Sequence, residues 1–417
     1  MKRGTTTVSP YQRDVMSGLT RNLIYSFFLI LGGCSYASPE WNSEAPYPPP
    51  GIPEIGDILH TATGHYINQQ ELFSSLIRYP LVYVGEQHDN PASHRLQLEI
   101  LKAMQARHPG QVALGMEMFH NGQQAALNQW VAGELSEKEF LRESHWFENW
   151  GSDFELYREL LEFSRDQKIP VIGLNVPKAL GRKVSMTPLD KLDDETREQL
   201  PEMDMSDPYQ RAMIEKIFAD HEAGAPIVES FFRRQTLWDE SMAASVAEYM
   251  RERPDHHMVI IAGGWHVNYG FGVPRRVHRR LPLPYALVGG HNLEVPDEKL
   301  DQLMDVQIPD FPMRAVDYLV YQEYEVFKPG GVRLGVMLGD SDDHAGLLVT
   351  DRVAGSAAAE AGINKGDRLL RFDGVPLEDN FDLIYAVKTR RPGDTATIEL
   401  KRGDETLVVE AYFGLEQ

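Results

Sequence analysis

The chain has 417 residues, enough for two or three domains with full cores. Its 62 acidic against 41 basic side chains give a net charge of −21, which argues against nucleic acid as a partner, because neutralising phosphates needs a basic face. The hydrophobic share of 42% and charged share of 25% are those of a globular protein, and no apolar run reaches the roughly 18 residues of a membrane span.

The first residues form a recognisable leader. Lys2, Arg3, Arg13 and Arg21 face only Asp14, a short apolar core runs from Leu23 to Leu31, and Gly32-Gly33-Cys34 closes it. A basic region, a short apolar region and small residues make a secretory signal over 1–33. The ending Leu31-Gly32-Gly33-Cys34 resembles the bacterial lipobox, which implies that Cys34 is lipidated and becomes the new first residue. Lipidation also accounts for a secreted chain holding one unpaired cysteine. Ser35 after the cysteine implies the outer membrane. A proline-rich tether is expected over 34–57, with Pro39, Pro46, Pro48, Pro49, Pro50 and Pro53.

Strands and helices then alternate. The organising stretch is Leu81-Val82-Tyr83-Val84, an apolar run that reads as a strand buried on both faces, followed by Gly85, Glu86 and His88. Further strands are expected at 111–118, 169–174, 257–262 and 285–288, with helices at about 92–106, 121–131, 154–167, 208–222 and 227–251. Short apolar runs separated by helices predict a mostly parallel α/β sheet with helices on both faces, over 58–290. Residues 188–206 are polar and acidic and read as an insertion or lid. Residues 291–329, with four prolines, read as a closing segment and linker. From 330 onward the pattern changes to short strands and turns, a small β-rich domain.

Glu86, His88, Glu117, His120 and His266 each fall just after an expected strand. In a parallel sheet these loops share one rim, where open α/β sheets bind ligands. Carboxylates beside imidazoles suit a divalent cation, or an acid that orients a histidine. His94 either points back into the same pocket or sits on the helix surface. The run Arg275-Arg276-Val277-His278-Arg279-Arg280 is either a solvated helix face or places Arg275 or Arg276 to hold a ligand carboxylate. The aromatic loop from His145 to Trp150 is either core or a wall for a planar ligand.

Gly85-Glu86-Gln87-His88-Asp89-Asn90-Pro91 with His94, Gly115-Met116-Glu117-Met118-Phe119, Ala262-Gly263-Gly264-Trp265-His266 and Gly272-Val273-Pro274-Arg275 together resemble the ChaN-type haem-binding lipoproteins. These belong to the Tiki superfamily, with TraB-like and erythromycin-esterase-like proteins. The resemblance implies haem as cofactor, held near Glu86, His88, His94, Glu117, His266 and Arg275. It places the protein on the periplasmic face of the outer membrane, held by its lipid anchor alone and linked to haem or iron uptake. It also implies a haem-ligating tyrosine at a homodimer interface, which no motif singles out among 17 tyrosines. In hydrolytic relatives the equivalent residues form a metal-dependent or acid–base site. That alternative makes Glu86, His88, Glu117 and His266 ligands of a divalent metal ion, with Glu86 and His266 catalytic.

The tail resembles a PDZ domain of the bacterial protease-associated kind. Arg333-Leu334-Gly335-Val336 is similar to its carboxylate-binding loop, without the usual second glycine or phenylalanine, and Ala357 to Leu370 to its most recognisable stretch. The resemblance implies that Leu334, Gly335 and Val336 capture the C-terminus of a peptide or protein partner, or that the groove is closed and only mediates assembly.

Overall fold

The computed structural model describes residues 51–218, 224–300, 309–327, 332–339 and 345–414. The leader at 1–33, Cys34 and the tether up to residue 50 lie outside the described residues. Two sheets are present, each with its own core.

The first domain runs β1 (Ile58–His60), β2 (His65–Ile67), α1 (Gln69–Leu76), β3 (Leu81–Glu86), α2 (Pro91–Arg107), β4 (Val112–His120), α3 (Gln124–Ala132), α4 (Glu137–Glu143), α5 (Trp146–Asn149), α6 (Glu155–Asp166) and β5 (Val171–Asn175). It continues with α7 (Lys178–Met186), α8 (Asp194–Glu198), α9 (Pro208–Ile217), α10 (Ala225–Glu252), β6 (His257–Gly263), α11 (Gly264–Val267), α12 (Val273–Arg280), β7 (Tyr285–Glu294), α13 (Asp297–Leu300) and β8 (Tyr318–Glu323). The sheet order is β2-β1-β8-β7-β3-β6-β4-β5. From β8 to β5 neighbouring strands are parallel, and the β1–β2 hairpin adds on antiparallel at one edge.

The alternation of β3 explains the layers. Val82 and Val84 face one core with α1, α2, α3 and α6, while Leu81 and Tyr83 face the other with α10 and α12. A strand covered on both sides has no polar face to show, which is why it reads as an unbroken apolar run. At its end the side chain of Asn90 accepts the Ala92 N–H, and Pro91 occupies the first turn of α2. The chain therefore leaves the strand and enters the helix within four residues, and those residues carry the rim chemistry.

Three segments differ from the sequence reading. β4 runs on to His120, with a break in its register against β5 between Met116 and His120. The closing segment contains a strand of the main sheet: β8 lies between β7 and β1. Its flanking prolines at 309, 312 and 329 masked an apolar run that the sheet needs. Residues 188–206 pack onto α7 and α10, with Leu192 buried against Val176, Leu180, Val184 and Leu237.

The second domain runs β9 (Val336–Leu338), β10 (Leu347–Arg352), α14 (Ala357–Glu360), β11 (Arg368–Phe372), β12 (Val375–Pro376), α15 (Asn380–Lys388), β13 (Thr395–Arg402) and β14 (Glu405–Tyr412). Its antiparallel order is β14-β13-β11-β10-β9, so β9 is an edge. Val349, Leu369, Ile398 and Leu400 fill its core under Leu383 of α15.

At the opposite end of the main sheet from the rim, His257 and His108 stack with ring centroids 3.7 Å apart. His257 Nδ1 donates to Tyr79 O at 2.9 Å. Burial, and then the neighbouring His108, hold His257 below the ordinary histidine value of 6.5, outweighing that bond. A histidine that resists protonation when folded stabilises the fold above its unfolded pKa, and this contribution falls as pH drops from about 6.5. The denaturation midpoint should therefore fall between pH 7.5 and 5.5, and His257→Asn should flatten that dependence. An unchanged slope in the variant would remove His257 from the account.

Candidate functional site

Glu86 is the last residue of β3 and is almost fully buried. A carboxylate in that position must collect donors to remain charged. Its Oε1 accepts from His88 Nδ1 at 2.7 Å and from the Tyr157 hydroxyl at 2.7 Å, and its Oε2 accepts from Gln97 Nε2 at 2.7 Å. Burial alone would raise its pKa, but the His88 bond, the nearby His94 and the Gln97 bond outweigh burial and hold it below the ordinary value.

The pairing fixes the tautomer of His88. Because an ionised carboxylate only accepts, Nδ1 carries the proton and Nε2 keeps its lone pair. The ring is half-buried, stands edge-to-face against Trp150 at 5.0 Å, and its Nε2 has no hydrogen-bond partner among the described residues. Space beside it is tight: a Cβ at Gly263 would lie 3.1 Å from Nε2. Burial lowers the His88 pKa, while the Glu86 bond and the charge of Glu117 together raise it above 6.5.

Glu117 sits in the stretch of β4 where the register breaks, an irregularity that re-aims side chains. Its Oε2 accepts the Gly263 N–H at 2.7 Å and its Oε1 lies 3.2 Å from His266 Nε2. His266, on α11, donates from Nδ1 to Asp239 at 2.6 Å. Both imidazole nitrogens are thus engaged by carboxylates. Burial would lower the His266 pKa, but Glu117 and Asp239 outweigh it and hold the ring as a cation through neutral pH. The backbone turns back tightly here, since a Cβ at Gly272 would come within 2.3 Å of the His266 carbonyl.

The remaining expected residues have other duties. His94 is buried and its Nε2 donates to the His88 carbonyl at 3.1 Å, which ties the ring to the backbone of the site. His120 Nδ1 accepts the Gly122 N–H and caps the next turn. Arg275, read as either a solvated helix residue or a ligand-holding one, pairs with Asp204 at 3.4 Å and with Asp207. Arg276 is buried against Glu240 and Gln210. The aromatic loop divides, with Trp146 in the core and Trp150 at the rim. Gln97, Tyr157, Asp239 and Trp150 complete the site from helices and loops remote in sequence. Of these, Trp150 carried a local signal, as the end of the aromatic loop.

A cavity of about 270 Å3 opens over His88 and His266, walled by Met213, Ile214, Phe231 and Trp265. A second, of about 210 Å3, reaches Glu117 from the other side beside Trp150 and Trp238. A wider depression of about 420 Å3 near His60 and Tyr318 is remote from these acids. Among the described residues no group of three or more His, Cys, Asp and Glu side chains is disposed to hold a metal ion. The four residues expected as metal ligands satisfy one another in pairs, with His88 Nε2 the one ring nitrogen of the two histidines left over.

In the second domain Leu334 is buried and its carbonyl accepts the Ala358 N–H at 2.8 Å. Gly335 has φ +80, and a Cβ there would strike Ser356 at 2.3 Å. Val336 begins β9; Met337 on that strand and Ile384 on α15 are exposed.

Two outcomes test this geometry. Glu86→Gln should lower the His88 pKa, read by NMR titration, and an unchanged value would break the proposed pairing. His266→Ala should cost about 3–5 kcal/mol of stability, because it leaves two buried carboxylates without their cation.

Comparison with known proteins gives matches of three kinds. A family model described as haem-binding uptake, Tiki superfamily, ChaN matches residues 72–277, and a PDZ model matches 332–412. Among curated proteins, a probable periplasmic serine endoprotease DegP-like of Rhizobium meliloti is 38% identical over 69 residues, 16% of this chain and 14% of that protein. Serine protease PepD of Mycobacterium tuberculosis is 34% identical over 71 residues, 17% of this chain and 15% of that protein. The chain thus spans about one seventh of the curated relatives it matches. Among solved structures, ChaN of Campylobacter jejuni with cofacially bound haem is 14% identical, with a TM-score of 0.49, covering 63% of this chain and 95% of that one. The serine endoprotease of Yersinia pestis is 24% identical, with a TM-score of 0.18, covering 21% of this chain and 30% of that one. Over residues 72–277 this protein carries a domain of the ChaN haem-binding uptake type, Tiki superfamily, and over 332–412 a PDZ domain.

Proposed function

We propose that this protein is a lipid-anchored envelope protein that binds haem at the rim of its α/β domain and recruits a partner through its PDZ domain. The match to the family model supports haem as the ligand. The basic and apolar leader ending in Cys34 supports the anchor and a periplasmic site at the outer membrane. The observation that carries the site is the free Nε2 of His88, whose Nδ1 is held by Glu86. Metal-ligating histidines are regularly oriented in this way by a carboxylate on the other nitrogen.

The residues present fit the group in part. The apolar wall and the free imidazole suit a porphyrin edge, but about 270 Å3 is below the usual range for a pocket that buries a ligand of drug size. Bound haem would supply an iron centre, and His88 would hold it through Nε2, with Glu86 raising the basicity of that ring, Tyr157 and Gln97 holding Glu86, and Trp265 lining the same cavity. Tyr157, the tyrosine bonded to the site, does not suit ligation as a phenolate: burial, then Glu86, push its pKa well above the ordinary 10.

A second reading, acid–base hydrolysis, is favoured by the same Glu86–His88 pair, which can take a proton from water at Nε2. It needs no metal ion. Hydrolysis of a chromogenic ester by the haem-free protein, lost in His88→Ala, would establish it.

Haemin titration is the direct test. A Soret shift is expected in the wild type, weakened about 10- to 100-fold in Glu86→Gln and lost in His88→Ala. Affinity should also fall as pH drops through the His88 pKa, which lies above 6.5, because only the neutral ring ligates. No Soret response in the wild type would overturn the haem reading.

A further inference from the structure

α15 faces two ways. One side shows Ile384 to solvent, and the edge strand β9, which follows the Gly335 loop, likewise exposes Met337. The other side is docked on the α/β domain. Arg142 of α4 pairs with Asp379 and with Asp382 at 2.7 Å, and Lys388 pairs with Asp153 at 3.0 Å. Phe381 packs against Phe147 in a tilted arrangement, ring centroids 5.6 Å apart, with the Arg142 guanidinium 4.5 Å from the Phe381 ring.

The docked segment belongs to the rim. Phe147 and Asp153 flank Trp150, which stands against His88 and donates to the Tyr157 hydroxyl at 3.2 Å. Tyr157 in turn donates to Glu86. From Lys388 on the PDZ helix to Glu86 on the sheet, the path passes through one short stretch, 147–157. That stretch contains only the four-residue α5 before α6 begins, and His145 just ahead of it sits at φ +48. A short segment with little regular structure moves more readily than the strands it covers.

We propose that α15 is a two-sided element through which a peptide in the PDZ groove changes the order of segment 144–157 and hence the rim site. The occupant is a partner C-terminus whose last residue is apolar, to match Ile384 and Met337. This rests on the reading of the β9 edge as a peptide groove. By linkage the effect is reciprocal: a ligand at the rim alters peptide affinity to the same degree. Contiguity alone does not establish coupling, so the test measures it.

The test uses amide hydrogen exchange on the full chain in detergent, with pentapeptides ending in Val, Leu or Phe as free acids and as amides. The acid peptides are expected to slow exchange along β9 and to change exchange in 144–157 about fivefold or more. The amides should do neither. In Arg142→Ala, and separately in Lys388→Ala, the acids should still protect β9 while the response at 144–157 is lost. Protection of β9 with no change at 144–157 would overturn the coupling and leave the groove intact. No protection of β9 by any peptide would overturn both the groove reading and the coupling.

Discussion

The rim depends on keeping the Glu86 carboxylate charged at the end of a strand that is covered on both faces. Removing such a group from water costs several kcal/mol unless donors replace the water. The donors here come from three places: His88 two residues on, Gln97 on α2 and Tyr157 on α6. Each is thereby committed to Glu86 and loses its freedom elsewhere. The arrangement leaves one nitrogen over, His88 Nε2, and its availability follows from the shortage of water around Glu86.

The second carboxylate is handled differently. Glu117 is paired to a cation held on its far side by Asp239, whose other oxygen accepts from Gln210. Gln210 also accepts from Arg276, which lies against Glu240. This buried polar layer connects α9, α10 and α12 across one face of the sheet. Replacing it by apolar residues of the same volume would not necessarily weaken the fold, whereas breaking one member would. Its effect is to hold α9, and with it Met213 and Ile214, over the cavity.

The strands of the parallel core were legible because covered strands are continuous apolar runs. Glu86, His88, Glu117 and His266 were legible because parallel strands bring their C-terminal ends to one rim. Their division of labour was not. That His266 is a locked cation depends on Asp239, deep in a 28-residue helix whose sequence gives no sign of where it points. Arg275 stood next to a site motif, yet the acids at 204 and 207 claim it through a fold contact that spacing does not reveal. β8 was hidden by its prolines, and the PDZ seam by the absence of any local pattern for a contact between domains.

The place of β8 bears on how the protein is made. The main sheet holds β1 near its beginning and β8 near its end, and the Thr61 hydroxyl donates to the carbonyl of Val316, 255 residues away. Neither the hairpin β1–β2 nor the outer face of β7 has its partner until residue 323 has been synthesised. Contacts this distant in sequence close slowly, and until then β7 presents a bare edge. The late arrival of β8 therefore delays completion of the core until almost the whole of the first domain has left the ribosome.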